Sequence, residues 1–205
     1  MSKNLQTGTV NTPDFWDHIY QNERPRWDIG HATPVFAEWL AHRNQLGTGS
    51  IAVLGCGTGH DAALFSQHGF DVTAVDFAES PLQSLQKNYP GIRTLQKDIF
   101  ELNESHNEVF DFVLEYTCFC AIDPMRRDEY VQIVHTILKP GGYLIGLFFP
   151  LDERPDGPPF AVRYDDVDRH FSSTFISLLD EIPEHSVPKR REKERFVIYQ
   201  KKHQS

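Results

Sequence analysis

The chain has 205 residues, 40% hydrophobic and 24% charged, a composition typical of one globular domain with a sizeable core. Acidic residues outnumber basic ones by 29 to 20, and the net charge of −9 disfavours a nucleic-acid partner, because such binding depends on clustered cations. Three cysteines, Cys56, Cys118 and Cys120, are too few for a disulfide framework and favour a cytoplasmic location. We expect neither a signal peptide nor a membrane span.

The N-terminal segment, residues 1–48, is predicted to be helical and to form a lid within the same domain. After Thr12, which is expected to cap the first helix, large side chains recur at helical spacing: Phe15, Trp16, Ile19 and Tyr20. Residues 23–34 contain two prolines and a glycine and are predicted to be a loop. A second helix is predicted over residues 35–46.

Residues 49–205 are predicted to form the core, because short apolar runs alternate there with helical patterns. Strands are predicted over 51–55, 71–76, 92–98, 109–116 and 143–149, and helices over 61–69, 79–89 and 126–138. Two final strands, 174–182 and 195–201, are predicted to pair antiparallel, and the cationic run 189–195 between them is expected to be a solvated connection. The sequence therefore predicts an α/β fold, a doubly wound Rossmann-like seven-stranded sheet, mostly parallel with a terminal antiparallel strand.

The first of these strands runs into a glycine-rich turn, IAVLGCGTGHD over residues 51–61. Gly55 and Gly57 allow the backbone to turn tightly and to approach a ligand without an intervening Cβ. The dinucleotide fingerprint requires glycine at position 60, where this chain has His60, and the third glycine is Gly59. The turn therefore predicts a nucleotide-like ligand other than a standard dinucleotide.

Acidic residues end the next two predicted strands. Asp76 follows Gly55 by 21 residues, where a carboxylate accepts hydrogen bonds from both ribose hydroxyls. Asp98 ends the third strand, within reach of an adenine amino group. This pattern fits S-adenosylmethionine better than a nicotinamide dinucleotide. A nicotinamide-dependent oxidoreductase and a non-catalytic cofactor-binding protein remain the alternatives from other classes.

Three aromatic residues of the lid segment, Trp16, Tyr20 and Trp27, allow two interpretations. They either anchor the first helix in the core or cover the mouth of the cofactor site. In the second case their faces attract a sulfonium cation by about 0.5–2 kcal/mol, and the lid excludes water.

The sequence resembles the thiopurine methyltransferase superfamily, and within it the thiol and halide methyltransferases, from Phe15 to about Lys201. Four motifs in order carry the resemblance: FW-x3-Y with RPRWDIGHATP (24–34), LGCGTGHD (54–61), FDFVLEYTCFCAIDP-x-RR (110–127) and GPPFAV (157–162). Tyr20 stands where relatives carry tryptophan, and Thr58 replaces a further glycine of the plant relatives. The resemblance implies methyl transfer to a small soft nucleophile, most simply a thiol, with halide, hydrosulfide, selenium and tellurium acceptors as alternatives.

The site residues expected from the motifs and the resemblance fall into three groups. The cofactor contacts are Trp16, Tyr20, Trp27, Gly55, Gly57, Asp76, Phe77, Asp98, Ile99 and Tyr116. Arg127 is expected to favour a thiolate and Asp28, or else His31, to accept its proton; His31, Phe119 and Arg163 are the expected substrate contacts. No metal is expected, because Cys56, His60, Cys118 and Cys120 lack zinc pair spacing. The physiological acceptor and the oligomeric state stay open.

Overall fold

A computed structural model describes residues 9–23, 25–42, 46–153 and 156–202. Residues 1–8 and Arg24 of the predicted lid, and positions 43–45 of its second predicted helix, lie outside these ranges. The helices are α1 (Pro13–Asn22), α2 (Pro34–His42), α3 (His60–Gln67), α4 (Glu79–Asn88), α5 (Arg127–Ile137) and α6 (Tyr164–Phe171). The strands are β1 (Ser50–Leu54), β2 (Asp71–Asp76), β3 (Arg93–Gln96), β4 (Phe110–Tyr116), β5 (Leu138–Phe148), β6 (Phe175–Glu181) and β7 (Arg195–Lys201).

The seven strands form one sheet in the order β3-β2-β1-β4-β5-β7-β6. Strand β1 pairs in parallel with both β2 and β4, whereas β7 runs antiparallel to both β5 and β6. The predicted doubly wound, mostly parallel sheet is thereby confirmed. The strand order reverses at β1, and in such sheets ligands bind beyond the carboxyl ends of the strands at that reversal.

Helices cover the sheet on both faces, so successive residues of β1 contribute to two different cores. Ala52 and Leu54 belong to a cluster with Phe119 and Tyr130, the latter on α5. Ile51 and Val53 belong to the other cluster, with residues of α2 and α3. This alternation explains why the strand is apolar throughout. No helix within the described ranges combines the length and apolar character needed to cross a bilayer.

Several local features differ from the sequence-based expectations. Thr12 stands at the N-cap of α1, but its hydroxyl donates to the Thr9 carbonyl at 2.9 Å and makes no cap bond. Strand β5 begins at Leu138, five residues before the predicted start at 143, and contains an irregularity in its pairing with β4. Helix α6 was not predicted, because it buries only Val167 and Phe171, too few apolar positions to show periodicity.

The expectation that residues 189–195 form a solvated connection is confirmed at four positions, Lys189, Arg191, Glu192 and Lys193, which are exposed, and is wrong for the other three. Arg190, Glu194 and Arg195 are 5%, 1% and 1% exposed. Each of the three is buried together with an oppositely charged partner. Arg195 contacts Asp168 and Asp180. Arg190 and Glu194 pair with each other beside the cavity described below. A charged run therefore contributes buried side chains to the fold.

Candidate active site

A cavity opens at the carboxyl ends of β1, β2 and β4, where the strand order reverses, and the glycine turn forms part of its wall. Gly55 and Gly57 have φ values of 57° and 54°, which residues with a side chain rarely adopt. A Cβ at Gly57 would lie 2.9 Å from the Tyr20 Oη, and one at Gly55 would lie 3.0 Å from the Cys118 Sγ. The glycines are needed for backbone conformation and for close packing of the cavity wall.

Asp76, at the end of β2, lines the cavity and is buried. Its two carboxylate oxygens accept hydrogen bonds from the backbone N–H groups of Gly57 and Ala78, each at 3.0 Å. Burial raises the pKa of this carboxyl to about 6, although the two N–H donors oppose the rise. Each oxygen keeps acceptor capacity, so a ligand that supplies further hydroxyl donors would stabilise the ionised form.

The three aromatic residues of the lid segment come together at the cavity. The Trp16 and Trp27 rings have centroids 5.5 Å apart, the Tyr20 and Trp27 rings 5.8 Å, and both pairs are edge-to-face. The indole N–H of Trp27 donates to the Tyr20 hydroxyl at 3.1 Å. All three residues line the cavity, so the side chains that pack against one another also form its aromatic wall.

Helix α1 is held at this position by its contact with α4. The N-cap of α4 is Ala78, which has no polar side chain, and Asp17 of α1 supplies the missing acceptor. Its carboxylate accepts hydrogen bonds from the N–H groups of Ser80 at 2.7 Å and Glu79 at 3.3 Å. An acidic side chain at a helix N-terminus is favourable, so this contact fixes α1 beside the end of β2.

The loop after Trp27 is attached to the glycine turn and to α3. Asp28 accepts hydrogen bonds from the Thr58 hydroxyl at 2.9 Å and from the Gly30 N–H at 2.7 Å, and the His60 Nε2 lies 3.5 Å from it. Asp61 accepts from both the N–H and the hydroxyl of Thr33, at 2.7 and 2.8 Å. The two residues after the glycine turn, His60 and Asp61, therefore both contact the loop that follows Trp27.

A second polar group lies at the end of β4. The Tyr116 hydroxyl donates to the Glu194 carboxylate at 2.7 Å and accepts a short hydrogen bond from the Arg190 guanidinium. Arg190 also donates to the Trp27 carbonyl at 2.7 Å, and its guanidinium lies 4.9 Å from the centroid of the Phe149 ring. The cavity wall includes Tyr116, Trp27 and Phe149, so the hydrogen bonds and ring contact of this buried group hold three wall residues in place.

Glu115, directly before Tyr116, is 1% exposed and organises the turn that follows β4. One carboxylate oxygen accepts from the N–H groups of Cys118 and Phe119, at 3.1 and 2.8 Å, and the other accepts a short hydrogen bond from the Tyr130 hydroxyl. Burial raises the pKa of Glu115 to about 7. The turn that it fixes carries Thr117 and Cys118, both part of the cavity wall.

Most of the predicted site residues line this one cavity. They are Trp16, Tyr20, Trp27, Asp28, His31, Gly55, Gly57, Asp76, Phe77, Asp98, Ile99 and Tyr116. Asp98 also caps the short 3-10 helix Ile99–Glu104 by accepting from the Phe100 N–H at 3.0 Å. The imidazole of His31 lies 2.7 Å from the Ala32 carbonyl.

Three expected substrate-side residues are placed away from the cavity. Arg127 is buried, donates to the Ala161 carbonyl at 2.8 Å and stands over the Phe119 ring at 4.9 Å. Phe119 is fully buried among Tyr130, Phe148 and Phe171. Arg163 precedes α6 and pairs with Glu153 at 3.2 Å on the surface. These three residues are not among those that line the cavity, and their contact with substrate stays a prediction.

Sequence reasoning missed Arg190, Glu194 and Glu115 as site residues. No sequence signal marks Arg190 and Glu194, because the i, i+4 rule for ion pairs applies to helices and these residues lie in a non-helical connection. Cys56, Cys118 and Cys120 line the cavity as free thiols, and burial raises the pKa of each. Within the described part of the chain, no group of three or more histidine, cysteine or acidic side chains is arranged to hold a metal.

Comparison with protein-family models matches residues 11–203 to the model described as thiopurine S-methyltransferase. A probable thiol methyltransferase 2 of Arabidopsis thaliana is 32% identical over 165 residues, covering 78% of this chain and 72% of the relative. Thiocyanate methyltransferase 1 of the same plant is 30% identical over 195 residues, covering 91% and 84%. A thiopurine S-methyltransferase of Aliivibrio salmonicida is 22% identical, covering 81% and 85%.

Solved structures share the fold at lower sequence identity. The 1,6-didemethyltoxoflavin-N1-methyltransferase of Burkholderia thailandensis, solved with S-adenosylhomocysteine, superposes with a TM-score of 0.72 at 22% identity, covering 93% of this chain and 87% of that one. A protein described for the conversion of a disulfide bond into a thioacetal group in echinomycin biosynthesis gives 0.79 at 19% identity, covering 94% of each chain.

Proposed function

Since the chain belongs to the thiopurine S-methyltransferase family, we propose that its acceptor is a small thiol and that the cavity described above is its active site. Family membership makes it an S-adenosylmethionine-dependent methyltransferase acting on small soft nucleophiles. The oxidoreductase and the non-catalytic binding protein are set aside on the same ground. The acceptor and the role of each residue are our proposals.

The cavity suits S-adenosylmethionine in charge and shape. Asp76 would hold the ribose hydroxyls, because its buried carboxylate has acceptor capacity and gains from added donors. Asp98 and Ile99 would hold the adenine, and the Trp16, Tyr20 and Trp27 faces would surround the sulfonium. When bound, the cofactor supplies a methyl group on a positively charged sulfur, which an incoming nucleophile attacks in line.

The residues of this chain contribute alignment and the exclusion of water. Alignment of a nucleophile supplies about 7–11 kcal/mol in favourable cases. Asp28 and Asp61 hold the lid loop against the glycine turn, so the aromatic residues are fixed before a ligand enters. We propose on this basis that residues 1–48 act as a lid of the same domain and that residues 49–205 form the catalytic core.

The observation that carries the proposal is the edge-to-face group of Trp16, Tyr20 and Trp27 at a cavity that also contains Asp76. Calorimetry with S-adenosylmethionine, S-adenosylhomocysteine and NAD tests the cofactor, and we expect binding of the first two only. A headspace assay of methylated products, run with a panel of small thiols, tests the acceptor. Binding of the cofactor with no turnover on any thiol or soft anion would overturn the proposal.

Thiocyanate and halide ions are the second candidate acceptors. A relative at 30% identity is thiocyanate methyltransferase 1 of Arabidopsis thaliana. The Arg190 guanidinium beside Tyr116 would favour an anion at that end of the cavity. Parallel headspace assays with thiocyanate and iodide separate the two candidates by kcat/KM. We further propose a cytoplasmic location, because the three described cysteines are unpaired.

A further inference from the structure

The buried group of Glu194, Tyr116 and Arg190 lies at the wall of the cavity, which Tyr116 lines. We propose that Glu194 is the final proton acceptor for a thiol substrate, with the Tyr116 hydroxyl relaying the proton. The inference rests on the proposed function and identifies how a neutral thiol becomes the reactive thiolate. A thiolate is the nucleophile in such chemistry.

The hydrogen-bond geometry around Tyr116 allows such a relay. Its hydroxyl oxygen carries one proton and two lone pairs. The proton is donated to Glu194 over 2.7 Å, and one lone pair accepts from Arg190. The second lone pair has capacity for a further donor, and the S–H of a bound thiol is a donor of that kind.

The proton transfer conserves atoms and charge. The S–H bond of the acceptor breaks and its proton forms a bond to the Tyr116 oxygen, while the original Tyr116 proton passes to the Glu194 carboxylate. The electron pair stays on sulfur, which would then bond to the methyl carbon of the bound cofactor, and the cofactor sulfur would leave with the electron pair of the broken C–S bond as a neutral thioether. Tyr116 is a neutral phenol before and after the step, in keeping with a pKa that burial and Glu194 both raise.

The surrounding charges favour the transfer. Arg190 lies 3.9 Å from Glu194 and compensates its charge before the step. Once Glu194 is protonated, the guanidinium beside the Tyr116 oxygen is compensated by the new thiolate. Burial raises the pKa of Glu194, which brings the carboxyl closer to the proton affinity of a thiol. Asp61 is the further charged group that acts on Arg190 and Tyr116.

Three other acidic side chains near the cavity, Asp28, Asp61 and Glu115, each accept hydrogen bonds from backbone N–H groups. Asp28 accepts from Thr58 and Gly30, and Asp61 accepts twice from Thr33. Glu115 accepts from two N–H groups and from the Tyr130 hydroxyl. In the described part of the chain the donors to Glu194 are hydroxyls and not backbone N–H groups: that of Ser186 and that of Tyr116, a residue that lines the cavity. Its hydrogen bond to Tyr116 therefore connects Glu194 with the cavity.

The test compares a neutral thiol with iodide, an acceptor that has no proton to lose. Glu194→Gln keeps the size of the side chain and removes its basicity. We expect kcat/KM for an alkyl thiol to fall about 100-fold, a typical contribution of a general base, and the thiol-to-iodide ratio of kcat/KM to fall at least about tenfold. Glu192→Gln, at an exposed position in the same loop, is the matched control and should keep the wild-type ratio.

A more acidic aryl thiol provides a second comparison, since it is already largely ionised at neutral pH and should lose less than the alkyl thiol. If Glu194→Gln fails to fold, Tyr116→Phe is measured in the same way, because it retains the ring and the Arg190–Glu194 pair but removes the relaying hydroxyl. Equal losses on alkyl thiol and iodide in a folded variant would overturn the relay. Wild-type protein that methylates neither acceptor would instead overturn the proposed function.

Discussion

The Thr58 hydroxyl donates a 2.9 Å hydrogen bond to the Asp28 carboxylate, so the third residue after Gly55 is joined to the residue after Trp27. In the sequence, Thr58 stands within the glycine turn where the plant relatives carry a further glycine. In the structure it is a connection between the turn and the lid. The lid position and the shape of the cofactor wall are therefore set together.

The first prediction concerns this connection. Thr58→Val keeps the shape of the side chain but removes the hydroxyl, leaving Asp28 with one donor fewer. A hydrogen bond to a charged group contributes about 1.5–3 kcal/mol, so we expect the Kd for S-adenosylhomocysteine to rise by about tenfold. Calorimetry measures the change, with Thr94→Val on β3 as the control. An unchanged Kd for Thr58→Val would show that the lid does not depend on this bond.

The second prediction is a pH dependence of cofactor binding that originates at Asp76. Burial raises its pKa from 3.8 to about 6, so the unliganded protein takes up a proton there as the pH falls through about 6. Ribose hydroxyls donate to the ionised form, and binding should therefore strengthen as the pH rises from about 5 to about 7.5. Asp76→Asn should bind more weakly and lose this pH dependence in calorimetry. If Asp76→Asn kept the wild-type pH dependence of binding, the titrating group would not be Asp76.

The sheet and the cofactor side were predictable because their signals are local. The sequence has a strand followed by Gly55 and Gly57, and the next strand ends in an acidic residue. These features lie within about 20 residues of one another, so the local pattern alone predicts how they are placed in the fold. The part of the cavity wall around Tyr116 was not predictable in this way. Arg190 meets Tyr116 across 74 positions of sequence, and a charged run shows nothing in its pattern of the partners that bury it. Arg127 looked like a site residue by motif, but its guanidinium turns towards the Ala161 carbonyl.

The third prediction separates the two reasons for glycine in the turn. Gly57→Ala imposes a side chain at φ 54° and places a Cβ 2.9 Å from the Tyr20 Oη. We expect the free energy of unfolding to fall by about 1–2 kcal/mol and cofactor affinity to fall as Tyr20 is displaced. Gly91→Ala is the control, because nothing lies within 4 Å of its added Cβ. Equal behaviour of the two variants in urea unfolding and in calorimetry would contradict the packing argument.

The fourth prediction concerns Arg127. Its guanidinium donates to the Ala161 carbonyl at 2.8 Å and lies 3.8 Å from the Asp166 carboxylate, so its effect should be on stability. Arg127→Met should lower the free energy of unfolding by about 1–3 kcal/mol and keep the pH dependence of thiol methylation. Chemical denaturation and the pH profile of kcat/KM measure the two effects. If Arg127→Met lost turnover at neutral pH and recovered it at high pH, Arg127 would instead have a role in forming the thiolate.

The fifth prediction follows from the buried carboxyl of Glu115. Its pKa lies near 7 in the folded protein and at 4.5 ordinarily, so the folded state favours the protonated form. Glu115 therefore contributes most to stability at low pH. Its contribution to the free energy of unfolding, on the order of 3 kcal/mol, is lost as the pH rises from about 4.5 through about 7. Glu115→Gln keeps an acceptor for the Cys118 and Phe119 N–H groups and should remove that slope. Urea unfolding of both proteins at about pH 5 and about pH 8 tests this. If the free energy of unfolding changed with pH equally in both proteins, Glu115 would not be the titrating group. A smaller change in the variant would identify Glu115 as that group.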